Sequence, residues 1–179
     1  MKDNPNFFCE FAGSQNYALN SKVEVTKEYS DRWSKQFIND NDWKSGWLDG
    51  YFASADHDCM VIFDLQRKLA LRMVVVKPGK GLKLLRVLVS DEKPNVANNK
   101  FDPSTAVECG TFKQNYQAEE SDGPLLPISL TCEKCMPYGK YVILQNGVET
   151  DENGNVIWAI WTDNLRLGEV AIYGVEMNL

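Results

Sequence analysis

The sequence predicts an all-β protein, a β-sandwich or jelly roll with one short helix. Three observations carry that prediction. Seven short runs are rich in β-branched and aromatic residues, the residues that fit a pleated, half-buried surface. Turn-forming clusters such as "KPGKG", "DEKPN", "ESDGP" and "DENGN" separate them. Only one stretch carries helical spacing, and strands recurring about every ten residues with little helix read as a sandwich or jelly roll.

Taken in order, the helical stretch comes first. "SDRWSKQFIN" (30–39) places Trp33 and Phe37 four residues apart after a capping-type Ser30, which predicts about two turns of helix. The predicted strands are "CMVIFDL" (59–65), "LALRMVVV" (69–76), "LKLLRVLVS" (82–90), "LPISLTC" (126–132), "KYVILQ" (140–145), "NVIWAIW" (155–161) and "RLGEVAIYG" (166–174). "DENGN" joins two apolar runs, with Asn153-Gly154 as the tip of a hairpin. In the last strand, alternation puts Leu165, Leu167, Ala171 and Tyr173 on one face, and Glu169 falls in the same row. A carboxylate in an apolar row is costly unless something compensates it.

No repeat, low-complexity tract or linker divides the chain. One domain over residues 1–179 is expected, with its core from about residue 16 to 175; 44% of the 179 residues are hydrophobic, enough for a full core. A net charge of −6 argues against nucleic-acid binding or an anionic membrane surface as partner by bulk electrostatics. Lys77, Lys80, Lys83 and Arg86 in "KPGKGLKLLR" leave a local basic patch. No run approaches the roughly 18 apolar residues of a membrane span, so no membrane insertion is expected. No Asn-x-Ser/Thr sequon is present.

Five cysteines, Cys9, Cys59, Cys109, Cys132 and Cys135, make an odd number. Cys132-x-x-Cys135 has the spacing of zinc or redox chemistry. Zinc would need two further soft ligands, and the chain has one His, His57, and no second such pair. A redox motif would open a helix, whereas here a turn into a strand follows. Structural disulfides with one thiol left over are the expectation.

The last strands also carry a resemblance. "GKYVILQ" (139–145) followed by "LRLGEVAIYG" (165–174) resembles the closing signature of discoidin-like domains, also called F5/8 type C or galactose-binding-like. "NYALNSKVEVTKEYS" (16–30) resembles their opening strand, and "MVIFDLQRKLALRMVVV" (60–76) their pair of strands around an Asp-Leu turn. Within that superfamily, "VECGTF" (107–112) and "SLTCEKCMPYGKYVILQ" (129–145) are similar to segments of the F-type lectins, or fucolectins. The resemblance implies an eight-stranded jelly-roll β-sandwich whose loops at one end bind a ligand. It also implies a disulfide from Cys109 to Cys132 or Cys135. Cys9 then becomes the replacement partner for Cys59, because the family's last-strand cysteine is Gly168 here. The cysteine left over is free or intermolecular, which gives a dimer some weight and leaves the oligomeric state open.

The resemblance further implies one structural Ca²⁺ beside the ligand loops. "FINDND" (37–42) occupies the position of the family's Asp-Gly-Asn loop, so Asn39 and Asn41 would supply side-chain oxygens and Gln36 a carbonyl. Asp58 stands where the family has Ser, and the Gly168 carbonyl with the Glu169 carboxylate completes the set. The chemistry is coherent by itself: Ca²⁺ takes six to eight hard oxygen ligands, and a cation would compensate a buried Glu169. An ordinary solvated Asx turn, with Glu169 bonded to backbone amides, is the competing reading.

At the sugar site the chain departs from the family. The family's His after the cysteine is missing, and His57 lies before Cys59 instead. "KPGKG" (77–81) replaces the Arg-Gly-Asp turn with Lys77 and Lys80, and lysine is a point charge where arginine is a planar fork. Trp47 and Tyr51 in "DWKSGWLDGYF" (42–52) are candidates for stacking on a sugar or anchoring a protein partner, with covering the open end of the barrel as the competing reading. The expected function is therefore a non-catalytic, Ca²⁺-stabilised, lectin-like carbohydrate-binding module, extracellular, with a glycan or glycoprotein as partner and fucose specificity in doubt. The alternative is a protein-interaction or adhesion domain on the same fold that has lost sugar binding. Enzyme chemistry fits poorly, since Asp49, Asp56, Asp58 and Glu108 show no pairing in the sequence.

Overall fold

The computed structural model describes residues 15–26, 34–43, 52–53, 59–79, 84–94, 96–97, 100–101, 105–113, 126–132, 136–146, 152–153 and 165–176. Its strands are β1 (Lys22–Val25), β2 (Phe52–Ala53), β3 (Met60–Pro78), β4 (Leu84–Ser90), β5 (Val96–Ala97), β6 (Lys100–Phe101), β7 (Val107–Lys113), β8 (Ile128–Thr131), β9 (Tyr138–Asn146) and β10 (Arg166–Glu176). Eight of them form one antiparallel system in the order β2-β10-β3-β9-β4-β7, with β1 and β8 also paired to β3. The all-β prediction holds. The predicted strand at 155–161 and the hairpin tip at Gly154 lie outside the described residues; Glu152 and Asn153 form a turn.

Two expectations are corrected. The predicted strands 59–65 and 69–76 are one strand of 19 residues. Between Asp64 and Leu69 it steps outward, because β9 supplies only Lys140 between the partners Tyr141 and Gly139. Gln66 takes a left-handed φ of 62° there, and its amide donates to Asp64 Oδ1 at 3.0 Å. The predicted helix is, within its described part, a single 3-10 turn over Lys35–Phe37. Ser34 precedes it without capping it through its side chain. The run Asn39-Asp40-Asn41-Asp42 follows at once, and such side chains offer the backbone local bonds that compete with a helix.

The halves of β3 have different neighbours. Residues 61–64 pair with β1 and residues 73–76 with β8, while β10 runs along 69–78. Both halves contribute to one core, which unites Val61, Phe63, Leu65, Leu69 and Leu71 with Val74 and Val76. The parity changes after Leu71 because Arg72 is an extra residue, with Leu71 opposite Gly174 and Met73 opposite Tyr173. A one-residue bulge sends every later side chain to the opposite face.

A second bulge in the same ladder decides the position of Glu169. Leu167 pairs with Pro78 and Glu169 with Lys77, so Gly168 is extra. Leu165 and Leu167 therefore share the main core with Val170 and Ile172. Ala171 and Tyr173 fall on the other face, with Met73, Val75 and Trp43. The single row expected from strict alternation is thus broken at Gly168, and Glu169 belongs with Ala171 and Tyr173.

A disulfide joins Cys109 to Cys132, one of the two pairings left open by the sequence. Cys109 is the bulged residue of β7, which ends the strand order, and Cys132 follows β8, which pairs only with β3. The bond ties two edge strands together, and both cysteines belong to the main core. Cys59 is fully buried; Cys9 and Cys135 lie outside the described residues. Among the described residues no helix is long and apolar enough to cross a membrane.

Candidate functional site at the Glu169 end

The segment 38–43 is laid across the end of β10 by hydrogen bonds at both of its ends. The amide of Val170 donates to the Ile38 carbonyl at 2.7 Å. Asn39 Nδ2 donates to the carbonyls of Ala18 (2.8 Å) and Ser21 (3.2 Å), which ties the segment to the chain entering β1. Asn16 links that entry to β10, its Oδ1 accepting from the amides of Ala18 and Ile172 at 3.0 and 2.9 Å. Asp40 Oδ1 accepts the amide of Asp42 at 2.9 Å, an Asx turn. Asn41 takes a left-handed φ of 67°, a conformation that asparagine tolerates better than most residues.

Glu169 stands under this segment, completely buried. Its Oε2 accepts the amide of Asp42 at 3.1 Å. Oε1 is buried with no hydrogen-bond partner, and the Asp40 carboxyl lies alongside. Two carboxyls join only through a shared proton or a cation, and the raised pKa of Glu169 with a hydrogen bond to Asp40 among its causes corresponds to the shared proton. Burial pushes the Glu169 carboxyl up to about 9, and the neighbouring Asp40 carboxyl pushes in the same direction. The backbone N–H groups of Val170 and Asn41 pull against them.

Lys77, the register partner of Glu169, is 6% exposed. Its Nζ donates to the Trp43 carbonyl at 2.7 Å, and its stem lies over Gly168, where an added Cβ would sit 3.0 Å from Lys77 Cδ. Burial lowers the ammonium's pKa, while the negative charges of Asp42, Glu169 and Asp40 hold the proton on.

The sequence-derived residues thus divide into three groups. Asn39, Asn41, Gly168 and Glu169 come together, with Asn39's amide nitrogen committed to the β1 entry. Gln36 lies nearby in the 3-10 turn, exposed. Lys77 joins the same cluster, its ammonium turned onto a backbone carbonyl. Asp58, Trp47, Tyr51, His57 and Lys80 lie outside the described residues.

Sequence reasoning missed Asp40, Asp42 and the Trp43 carbonyl, although "NDND" carried both acids. It also missed Arg166. The turn "KPGKG" contains no arginine, yet its Gly79 donates to the Arg166 carbonyl at 2.7 Å. A Cβ on Gly79 would come within 2.3 Å of Arg166 Cβ.

Beside Glu169 stands a second carboxyl, Asp40, and carboxylate oxygens are among the hard ligands that Ca²⁺ takes. A buried oxygen without a donor is the feature a cation would satisfy, so these residues fit a hard divalent ion. Among the described residues no three His, Cys, Asp or Glu side chains form a metal-holding group. Amides and carbonyls would have to supply the balance of the ligands.

No protein-family model matches the chain, and no curated protein matches it. Solved structures do. A fucose binding module of Streptococcus pneumoniae superposes with a TM-score of 0.56 at 14% identity, covering 90% of this chain and 99% of that one. A fucolectin from the serum of Morone saxatilis (striped bass) gives 0.63 at 15% identity, over 92% of this chain and 48% of that chain. Chitosan-binding module 1 from a Paenibacillus chitosanase/glucanase gives 0.58 at 16% identity, over 89% and 99%. The chain thus spans about half of the fucolectin and nearly all of the two modules. At these identities the likeness establishes the fold alone, a β-sandwich shared with these modules.

Proposed function

We propose that this discoidin-like β-sandwich is a non-catalytic, lectin-like carbohydrate-binding module that acts outside the cell. One observation carries the reading: nearly the whole chain superposes on modules whose names record fucose and chitosan binding, each matched over 99% of its length. The disulfide Cys109–Cys132 is compatible with an oxidising compartment. Fold alone does not set function, so the ligand is assigned only to the class of glycans. The segment leading from Trp43 into residues 44–51, which contains Trp47 and Tyr51, is the candidate sugar platform, because aromatic faces stack on sugar rings. His57 and Lys80 are the candidate polar contacts.

A structural Ca²⁺ is part of the same proposal. Glu169, Asn39 and Asn41 would hold it with carbonyls from Gln36 and Gly168, together with Asp58. Its role would be to neutralise the buried carboxylate and pin the segment 38–43 to β10.

A glycan array run in Ca²⁺ and in EDTA tests the reading. Binding to a defined glycan class, lost on Trp47→Ala or Tyr51→Ala, is the expected result. A silent array together with a captured protein partner would move the assignment to the protein-interaction alternative. A melting temperature indifferent to Ca²⁺ and EDTA would remove the metal.

A further inference from the structure

Lys77 stands in the cluster where the calcium reading places the ion. Three facts define its position. It is the rung partner of Glu169 on the adjacent strand. Its side chain is buried, and its ammonium is fastened to the Trp43 carbonyl at 2.7 Å. The charges that act on it most are those of Asp42, Glu169 and Asp40, all three belonging to the proposed cation site or its rim. The site therefore already contains one positive charge, covalently tethered to the fold.

A divalent ion and an ammonium attracted by the same three carboxylates repel one another, and burial reduces the water that would screen them. The geometry also shows what the ammonium does alone. Glu169 holds an amide of the segment 40–43 while Lys77 holds one of its carbonyls, so the segment is fastened to β3 and β10 with no metal needed. Oε1 of Glu169 receives no donor from the protein in this arrangement, and beside Asp40 it is the atom that a divalent ion would take in place of a proton.

We infer that Lys77 is an internal counter-ion that shares this site with the divalent cation, holding the segment 40–43 in the metal-free protein and weakening the ion's binding. This inference rests on the calcium reading above. It assigns Lys77 a positioning role toward the segment that leads to Trp47 and Tyr51, in place of a direct contact with sugar.

The test uses the whole chain with Ca²⁺ alone as the probe. Calorimetric titration and melting in EDTA are run on the native protein, on Lys77→Met and on Lys77→Gln. The Gln variant keeps a donor for Trp43 while removing the charge, so a folding failure of K77M does not decide the matter. The expected result is a Ca²⁺ affinity at least tenfold tighter in the charge-removing variants. Their EDTA melting temperatures should fall below that of the native protein and recover when Ca²⁺ is added. Equal affinities in all three proteins would overturn the inference and leave the calcium reading standing. No binding by any of them would overturn both.

Discussion

Lys77 and Glu169 face each other across one rung of the β3–β10 ladder, and from that rung they hold opposite groups of the same short segment. Glu169 Oε2 accepts the Asp42 amide at 3.1 Å, and Lys77 Nζ donates to the Trp43 carbonyl at 2.7 Å. The cost of the arrangement falls on Glu169, whose second oxygen has no donor. Glu169→Gln supplies an N–H donor toward Asp40 and removes the proton uptake that folding requires of this carboxyl at pH 8. The expected outcome is a metal-free protein more stable than the native one by about 1–3 kcal/mol at pH 8, the range for a buried unsatisfied group. Its melting temperature should no longer respond to Ca²⁺. Chemical denaturation in EDTA checks the first part, and a loss of stability in E169Q would contradict it.

The pH dependence follows from the same carboxyl. Its value in the folded protein is about 9 against an ordinary 4.5. The folded state therefore keeps the proton longer than the unfolded chain does. The stability it contributes is full below about 4.5 and drains away as pH rises toward 9. Lys77, lowered from 10.5 by burial, acts in the opposite sense and below that higher value. Melting curves of the metal-free protein between pH 5 and 8 should show stability falling as pH rises, and E169Q should flatten the slope. An equal slope in both proteins would place the titration elsewhere.

Gly139 lies in β9 where a Cβ would sit 2.5 Å from the Ser90 carbonyl oxygen and 2.8 Å from Val89 Cγ1. The first contact is backbone and cannot swing away. Gly139→Ala is expected to cost about 3 kcal/mol, the upper end for overpacking, measured by urea denaturation. A cost below 1 kcal/mol would mean that β4 and β9 are less tightly joined than the structure has them.

Asn39 bonds the carbonyls of Ala18 and Ser21, separated from it by 21 and 18 residues. Its replacement by Ala leaves two partly buried carbonyls without that donor, at an expected cost of about 1–3 kcal/mol. If Asn39 also serves the cation through its oxygen, Asn39→Asp should keep the metal response while losing the two bonds. Parallel melting of the Ala and Asp variants with and without Ca²⁺ separates the two roles.

Reduction of Cys109–Cys132, which closes a loop of 23 residues, is expected to cost about 3 kcal/mol on the chain-entropy account. The paired Cys109→Ser, Cys132→Ala variant should lose a similar amount. Loss of the bond also releases the two edge strands from one another, so exchange protection should fall first in β7 and β8.

Much of this protein was legible in its sequence, because the all-β class follows from residue type and spacing. Val, Ile and Leu runs broken by turn residues leave little else to build, and the ends of β4, β9 and β10 fall within two residues of the predicted limits. The cluster Asn39, Asn41, Gly168 and Glu169 was legible too, through a resemblance that aligned segments far apart in the chain. The side-chain row of β10 was not. Alternation assumes that every residue takes a rung, and the extra residues Arg72 and Gly168 are visible only against the partner strand. The role of Lys77 was also hidden: in the sequence it belongs to a basic turn, and only the pairing of β3 with β10 turns it inward beside Glu169. Which of Cys132 and Cys135 joins Cys109 likewise depended on how two edge strands meet. Sequence alone determined which segments are strands and which residues are chemically suited to a site. Register, bulges and the approach of distant strands decided which way those residues face, because these are properties of pairs of strands and no single strand contains them.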